Sequence, residues 1–467
     1  MKRSRHTRAL VTLAALFVLA GCAAREPAEQ SLVESSPATP SALASLSLRW
    51  WESFEDESFE RLIGLALRDN LDLLSAVERV REQRAQRSQA VAALLPEIAV
   101  GGNYERARSA LDGHAQSHFY GMDLAWELDL FGRLRAQRNA SDAELRASRE
   151  DYRSLRIGLM AEVASTYLQY RLAQRQLVIA THASTTQGET ARVTRARFDQ
   201  GTVNRLDVER IEAQVRVTEA EIPVARQQQA DARYALAYLL AAEQESVDAI
   251  LAAGSDNLGL PSRDALAGLL DVPVEILRER PDVRAASERL RAAGEDLVAS
   301  RAARYPQLTL GALGGFERGS GVPAWSLSAG LLQPLFDFGR IRSAIEASDA
   351  LREQAHLAYE SSFRQALRET RSALHAYDQG WQRQQRLEQA TDAAVRAVEL
   401  ARNQYEVGTV SLLEVLDAER SLFDIQRNQM QANADVSLRW VELHRTMGIA
   451  PPFSAEVLVS KGSATGG

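Results

Sequence analysis

The sequence has one cysteine, Cys22, in 467 residues, so a single copy of the chain cannot form a disulfide bond. Its seven histidines include no HExxH motif, and the one closely spaced pair, His114 and His118, lies in a predicted loop between two strands, where incidental polar residues are the better interpretation. No serine occupies the nucleophile elbow of a hydrolase. These absences leave no candidate catalytic centre, and we expect neither an enzyme nor a bound cofactor.

The mature chain also lacks a long apolar run and an excess of basic residues, and these two absences restrict how it can cross a membrane and what it can bind. After residue 21 the chain has no apolar run of about 18 residues, the minimum length of a membrane-spanning helix. If the mature protein crosses a membrane, it must therefore do so as strands. Basic residues are also outnumbered: loss of residues 1–21 removes four of 55 basic side chains and none of the 62 acidic ones, which leaves a formal charge of −11. A chain this acidic is not expected to bind nucleic acid.

The N-terminus has the pattern of an export signal. Four basic residues among the first eight precede an apolar run over residues 9–20 that is too short to span a bilayer, which predicts a secretory signal peptide at 1–21. Small residues stand directly before Cys22, as a lipoprotein-processing peptidase requires, so we predict a covalent lipid on Cys22. The alternative is an ordinary cleaved signal with an incidental cysteine. Residues 22–47, rich in Ser, Ala, Pro and Glu, are predicted to form a flexible tether.

The rest of the chain contains an internal duplication. At an offset of 210, Asp72, Ala76, Glu78, Arg79, Arg81 and Pro96 match Asp282, Ala286, Glu288, Arg289, Arg291 and Pro306. At an offset of 207, Phe131-Gly132-Arg133 matches Phe338-Gly339-Arg340, and Gly201-Thr202-Val203 matches Gly408-Thr409-Val410. We therefore predict two repeats, 48–258 and 282–448, joined by a connection at 259–281 and followed by a tail at 449–467.

Each repeat has the same order of predicted elements. It begins with a helix that stops just before a proline, where the helical conformation is disfavoured (58–94 and 282–303). Two strands follow (98–106 and 119–130, then 307–316 and 324–336). A long helix then ends near Gly201 or Gly408, and a second helix returns from it (133–198 and 340–405 for the long helices). The predicted fold class is mixed α and β, mostly helical, with two structural repeats, four strands and two long helical hairpins.

The predicted strands have the length that a tilted strand needs to cross an outer membrane, about 9–11 residues. Residues 122–130 alternate polar and apolar side chains with a period of two, whereas 307–316 is rich in glycine and alternates less clearly. Four strands cannot form a closed barrel, because unpaired backbone groups in lipid cost several kcal/mol each and membrane barrels need at least about eight strands. We therefore predict that three copies form a 12-stranded β-barrel with an α-helical tunnel.

Several short segments carry a family resemblance: Arg49-Trp50-Trp51, WELDLFGR at 126–133, RPDVRAA at 280–286, Arg304-Tyr305-Pro306, YEVGT at 405–409 and LDAERS at 416–421. In combination they resemble the outer-membrane efflux proteins, in particular the lipoprotein branch that serves resistance-nodulation-division (RND) pumps. The resemblance covers residues 48–448. It implies a homotrimer in outer-membrane lipid, whose periplasmic tunnel docks through an adaptor (membrane fusion) protein to an inner-membrane RND-type pump.

The resemblance places the gate of the tunnel at the tips of the two hairpins. The family's gate residues carry over onto Leu413 and Asp417, with Arg420 as the partner of Asp417 one turn on. Arg210 stands in the first repeat where Asp417 stands in the second, and it is predicted to be a cross-helix partner of Asp417. Three copies of Asp417 would form a carboxylate ring of the kind that sets cation preference. The alternative is that Asp417 and Arg420 form only a solvated surface pair.

The predicted adaptor contacts are Gly201, Thr202, Val203, Gly408, Thr409 and Val410. A small residue at a turn permits close approach of a partner hairpin, but helix capping explains the glycines equally well. The predicted function is the passive outer-membrane exit duct of an efflux pump for drugs or small metabolites. The alternatives are the channel of a type I protein secretion or metal-efflux system and, in a different class, a periplasmic lipoprotein scaffold without a pore.

Overall fold

The computed structural model describes residues 50–109, 113–254, 260–261, 274–317 and 323–448. The predicted signal peptide, Cys22, the tether and the C-terminal tail lie outside the described residues. The first half contains, after a short 3₁₀ helix at Trp50–Phe54, α1 (Glu57–Asp69), α2 (Leu71–Ala92), β1 (Glu97–Ser109), β2 (Gly113–Leu128), α3 (Arg133–Asp199), α4 (Arg205–Leu239) and α5 (Gln244–Ala253). The second half contains α6 (Val274–Arg278), α7 (Pro281–Ala302), β3 (Gln307–Glu317), β4 (Pro323–Leu332), α8 (Arg340–Glu406) and α9 (Leu412–Met447).

Corresponding elements of the two repeats have nearly the same length. Helices α2 and α7 each contain 22 residues, α3 and α8 each contain 67, and α4 and α9 contain 35 and 36. The prediction of a mostly helical chain with two repeats, four strands and two long hairpins is therefore confirmed. At 1.5 Å per residue, each of the longest helices extends roughly 100 Å.

One predicted helix is divided in the structure. The segment expected as a single helix over 58–94 breaks at Asn70, which adopts a non-helical ψ of 127° between α1 and α2. Its side-chain oxygen accepts a hydrogen bond from the backbone N–H of Leu73 at 2.9 Å, and its amide nitrogen donates to the carbonyl of Leu239 at 2.8 Å. Asn70 therefore caps α2 and at the same time holds the C-terminal end of α4.

The same clasp occurs in the second repeat with a different residue. Arg280 corresponds to Asn70, and its guanidinium donates to the carbonyl of Thr446 at 2.6 Å, the counterpart of the Leu239 carbonyl. Both contacts satisfy carbonyls at a helix C-terminus, which have no partner within their own helix. The duplication thus extends from the sequence to the contacts that close each hairpin onto its short helix.

The strands form one antiparallel sheet in the order β1-β2-β3-β4 within the described residues. The two halves of the chain meet in this sheet, because β2 of the first repeat pairs with β3 of the second. The outer edges of β1 and β4 have no strand partner in the described part of the protomer. A separate finding is that none of the described helices combines the length and the apolar character needed to cross a membrane.

The pairing register sorts the side chains of the sheet onto two different faces, because directly opposed residues share a face. Apart from Arg106 and His118, the described side chains of the first face are apolar or glycine: Ile98, Val100, Gly102, Tyr104, Tyr120, Met122, Leu124, Trp126, Leu128, Leu308, Leu310, Ala312, Gly314, Phe316, Pro323, Trp325, Leu327, Ala329 and Leu331. The second face carries the charged and amide side chains, including Glu97, Asn103, Asp123, Glu127 and Gln307. The apolar face is uncovered: Val100 is 82% exposed and Trp325 is 76% exposed.

Candidate functional site at the hairpin tips

The turn at the tip of each hairpin is a helix-capping motif. Gly201 and Gly408 follow the last residues of α3 and α8 and adopt left-handed φ angles of 73° and 80°. The next residue, a threonine in both repeats, donates its backbone N–H to the carbonyl five residues earlier, from Thr202 to Arg197 and from Thr409 to Gln404, at 2.9 Å. This is the Schellman arrangement, in which glycine is favoured because it has no Cβ.

The threonine hydroxyls add a second bond to the same carbonyls. Thr202 Oγ1 and Thr409 Oγ1 each donate at 2.9 Å, to the carbonyls of Arg197 and Gln404. Capping therefore accounts for the glycine and the threonine of both predicted adaptor-contact triplets. Val203 and Val410 are half-buried, and Val410 packs against a small cluster formed by Tyr405, Leu412 and Val415. The role of the triplets in adaptor binding stays a prediction.

The predicted gate residues lie on the first three turns of α9 (Leu413, Asp417 and Arg420) and on the second turn of α4 (Arg210). Leu413 is 55% exposed. Arg420 donates to Asp417 at 3.0 Å, and both side chains are more than 60% exposed, so within one protomer they form a solvated pair. Arg210 is exposed on α4, and the described structure does not bring it to Asp417 within one protomer. A carboxylate ring requires further copies of the chain, so the gate also stays a prediction.

A buried ion pair that sequence reasoning missed lies beside the predicted gate. Glu419 is 6% exposed and accepts two hydrogen bonds from the guanidinium of Arg402, at 2.8 and 3.0 Å. Thr190 of α3 donates to the same oxygen at 3.3 Å, while the second carboxylate oxygen is buried without a hydrogen-bond partner. The carboxylate thus joins the second hairpin to the first. A sequence signal existed, because the 207 offset places Arg195 and Glu212 in an equivalent but more exposed ion pair.

A second contact also ties the two tips together. The guanidinium of Arg197, near the end of α3, lies 4.5 Å from the centre of the Tyr405 ring, and one of its nitrogens donates to the Tyr405 carbonyl at 3.5 Å. A cation is favourable over an aromatic face and at a helix C-terminus. The two hairpin tips are therefore fixed relative to each other by Arg197 and by Glu419. Among the described residues, no His, Cys, Asp and Glu side chains cluster closely enough to hold a metal ion.

We expect Arg402→Met to loosen the tip by about 2 kcal/mol, because it leaves the buried Glu419 carboxylate without its charged partner. Amide hydrogen exchange of residues 395–425 measures this free energy of local opening. The matched control is Arg192→Met, which removes an exposed i,i+3 pair with Glu189 on α3 and should change exchange by less than about 0.5 kcal/mol. Equal exchange in the two variants would contradict the structural role of the buried pair.

Known proteins are similar to this chain over most of its described residues. A profile of the family described as outer membrane efflux protein matches residues 62–242 and 272–449. The pyoverdine export outer membrane protein OpmQ of Pseudomonas putida is 31% identical over 435 residues, which cover 88% of this chain and 90% of that protein. The probable outer membrane lipoprotein SilC of Salmonella typhimurium is 28% identical over 467 residues, covering 94% and 98%.

Among solved structures, the outer-membrane channel OprN superimposes with a TM-score of 0.79 at 30% identity, covering 86% of this chain and 92% of that one. The chain therefore belongs to the outer membrane efflux protein family and is an outer-membrane efflux channel, not an enzyme.

Proposed function

We propose that three copies of this chain form the passive exit duct of a tripartite efflux pump for drugs or small metabolites. The observation that carries the proposal is the sheet, which has one continuous apolar face and two edge strands, β1 and β4, without partners in the described protomer. In lipid, such edges cost several kcal/mol for each unpaired backbone group, and pairing β4 of one copy with β1 of the next removes that cost. Three copies supply the twelve strands of a closed barrel.

The partners follow from the same arrangement. The long hairpins α3–α4 and α8–α9 extend from the sheet as the tunnel, and we infer that their tips meet an adaptor protein and, through it, an inner-membrane RND-type pump. The adaptor contacts proposed are the two Gly-Thr-Val turns at 201–203 and 408–410. We also infer a lipid anchor at Cys22. The name of SilC, an outer membrane lipoprotein, supports an anchor of this kind in the family.

Conductance in a planar bilayer tests the duct and its gate together. The purified protein should have the mass of three chains and form a pore of low resting conductance. Asp417→Ala should raise the resting conductance several-fold and lower the preference for cations, because it removes a ring of three carboxylates from the narrow end. Arg420→Ala should act in the same direction, since it removes the partner that orients Asp417.

The matched control is Asp424→Ala, which removes a carboxylate of similar exposure two turns further along α9. It should leave the conductance and the cation preference unchanged. If Asp417→Ala behaves like Asp424→Ala, the gate is elsewhere while the duct stands. If the wild-type protein is a monomer that forms no pore, the proposed duct is wrong.

A further inference from the structure

The ionisable side chains of the sheet are divided between its two faces according to sign. Four carboxylates are described in the strands, and the register places all of them on the second face: Glu97, Glu105, Asp123 and Glu127. The two basic side chains described in the strands, Arg106 and His118, lie on the first face. Glu105 and Arg106 are adjacent in sequence and are still separated, because successive side chains of a strand point to opposite faces. Among the described residues, the first face therefore carries basic groups and no carboxylate.

The two basic side chains lie together at one end of the first face. His118 was expected in a loop but belongs to β2, where it is opposed to Tyr104 with the ring centres 4.7 Å apart. Arg106 follows Tyr104 by two positions on the same face, so it is a diagonal neighbour of His118 across the two strands. Long side chains at such positions are close enough to bind the same group. We call Arg106 and His118 the basic patch.

The basic patch is at the end of the sheet that is remote from the helices. It lies close to the point where β1 ends at Ser109 and β2 begins at Gly113. At the other end of the sheet, β2 leads into α3 and β4 leads into α8. In the proposed duct the long helices form the periplasmic tunnel. The basic patch is therefore at the cell-surface end of the barrel, where the outer leaflet of the membrane lies.

The depth of the basic patch in the membrane follows from the length of the apolar positions before it. On β2 the first face is apolar from Leu128 to Tyr120, which corresponds to roughly 27 Å along the strand. At the usual tilt of about 40°, this length spans roughly 20 Å of bilayer, close to the apolar band of a membrane barrel. Tyr104 and Tyr120 end the band and are more than half exposed, as is typical of an aromatic girdle. Arg106 and His118 come next, at the level of the lipid headgroups.

We propose that the basic patch binds the phosphate groups of the outer-leaflet lipid. This inference rests on the proposed barrel and identifies a lipid that the barrel holds. The outer leaflet of an outer membrane consists largely of a glycolipid with phosphates on its sugar headgroup, at the depth where the patch lies. A guanidinium presents a fork of N–H donors that matches phosphate oxygens, and the imidazole of His118 adds a further N–H donor. Because no described carboxylate shares their face, both groups remain available to an anion.

Two observations favour a lipid over a free anion as the occupant. The patch continues directly into the apolar face, where Val100 is 82% exposed and Tyr104 is 56% exposed, so one ligand can place its phosphate on the patch and its acyl chains on the strands. The chain as a whole is acidic, with a formal charge of −7, and long-range attraction of anions to the protein is therefore not expected. A local site that combines both kinds of contact is what a phosphorylated lipid requires.

Lipid binding to the purified trimer tests the basic patch. The probe is lipid A that carries both of its phosphates, and native mass spectrometry measures its affinity for the wild type and for Arg106→Gln/His118→Gln. The double variant should bind at least about tenfold more weakly, because it removes charge-assisted hydrogen bonds to phosphate. Dephosphorylated lipid A should bind the wild type more weakly by a similar factor and should not distinguish the two proteins. Inorganic phosphate in large excess should not displace lipid A, because it makes no contact with the apolar face.

The matched control is Arg192→Gln/His182→Gln, which removes the same two residue types from exposed positions of α3. It should bind lipid A as the wild type does. Arg106→Lys should bind more tightly than Arg106→Gln, since lysine keeps the charge without the fork of donors. A trimeric wild-type protein that binds both forms of lipid A equally, that loses lipid A to inorganic phosphate, or that is matched by the Arg106→Gln/His118→Gln variant overturns the lipid site and leaves the duct intact. A monomeric wild-type protein overturns both.

Discussion

Arg280→Ala is expected to lower the free energy of unfolding by about 3 to 5 kcal/mol, the cost of removing one partner of a buried ion pair. The Arg280 side chain is 6% exposed and donates to Asp282 at 2.7 Å and to Glu369 at 3.1 Å. It also donates to the carbonyl of Thr446 at 2.6 Å. A single guanidinium thus joins the start of α7 to α8 and to the end of α9.

The size of the effect follows from what the variant leaves behind. Glu369 is only 18% exposed, so its charge would remain largely desolvated without the guanidinium that donates to it. The Thr446 carbonyl would also lose its charged donor and keep only the Thr370 hydroxyl, which donates at 3.1 Å. A hydrogen bond to a charged group contributes about 1.5 to 3 kcal/mol. Arg280→Lys keeps the charge but not the fork of donors, so it should recover part of the loss and not all of it.

Guanidinium titration of the protein in mild detergent measures this change. Arg278→Ala is the matched control, because Arg278 lies two residues earlier and is exposed. It should change the free energy of unfolding by less than about 0.5 kcal/mol. Asn70→Ala should cost about 1 to 2 kcal/mol, since the equivalent clasp of the first repeat is made by a neutral side chain. Arg280→Ala with stability close to that of Arg278→Ala would show that the clasp is not needed.

Most of the fold was predictable because the sequence contains an internal duplication, so each element is indicated at two places in the chain. The Phe-Gly-Arg triplets and the Gly-Thr-Val triplets are local signals, and they mark the ends of α3 and α8 within one or two residues. The break at Asn70 was not predictable in the same way. Asn70 interrupts the helix because it caps α2 and holds the Leu239 carbonyl, and that partner lies 169 residues away in sequence.

The apolar face of the sheet was harder to predict from the sequence than the helices were. The segment 307–316 looked irregular because Ala312 and Gly314 occupy positions where the neighbouring strands have large apolar residues. Pairing explains the small residues: Gly314 lies opposite Trp325 and Met122, and Ala312 lies opposite Leu327 and Leu124. The apolar face is a property of the paired strands and not of one strand, so register was needed to recognise it.

At the hairpin tips, sequence analysis identified the exposed residues Asp417 and Arg420 but not the buried Glu419. Asp417 and Arg420 were identified through a resemblance, and the structure places them on the surface of the protomer as a pair. Glu419 lies between them in sequence but points the opposite way, into the contact with α3. Its helical position relative to Leu412 and Val415, which are also buried, was readable from the sequence, but its partner Thr190 comes from another helix.

The second large effect concerns His444, which should make stability fall as the pH drops below about 6.5. The ring is 3% exposed, stacked on Trp50 with centroids 5.6 Å apart and in edge contact with Trp440 at 4.2 Å. Burial lowers the pKa of His444 from 6.5 to about 4, and the hydrogen bond between Nδ1 and the Trp440 carbonyl opposes this only in part. The folded protein therefore keeps His444 neutral at mildly acidic pH.

The direction of the change in stability with pH follows from the difference in proton uptake between the unfolded and the folded chain. Between pH 6.5 and 4 the unfolded chain binds a proton at His444 and the folded chain does not, so acidification favours unfolding throughout this window. Above pH 6.5 both states are neutral, and below pH 4 both are protonated, so the contribution is constant outside the window. A difference of about 2.5 pKa units corresponds to a loss on the order of 3 kcal/mol across it.

Unfolding titrations at pH 7.5, 6.0, 5.0 and 4.0 measure how the free energy of unfolding changes with pH. Comparison with His444→Phe separates the contribution of His444 from that of the carboxylates. Phenylalanine keeps a ring between Trp50 and Trp440 without a group that titrates. The free energy of unfolding of the variant should therefore fall by about 3 kcal/mol less than that of the wild type over this pH window. His182→Phe, at an exposed position of α3, should keep the wild-type slope. If the His444→Phe and wild-type curves run parallel from pH 7.5 to 4.0, His444 takes up its proton equally in the folded and unfolded chains. The aromatic cluster would then admit a charged ring, which its burial between two tryptophans argues against.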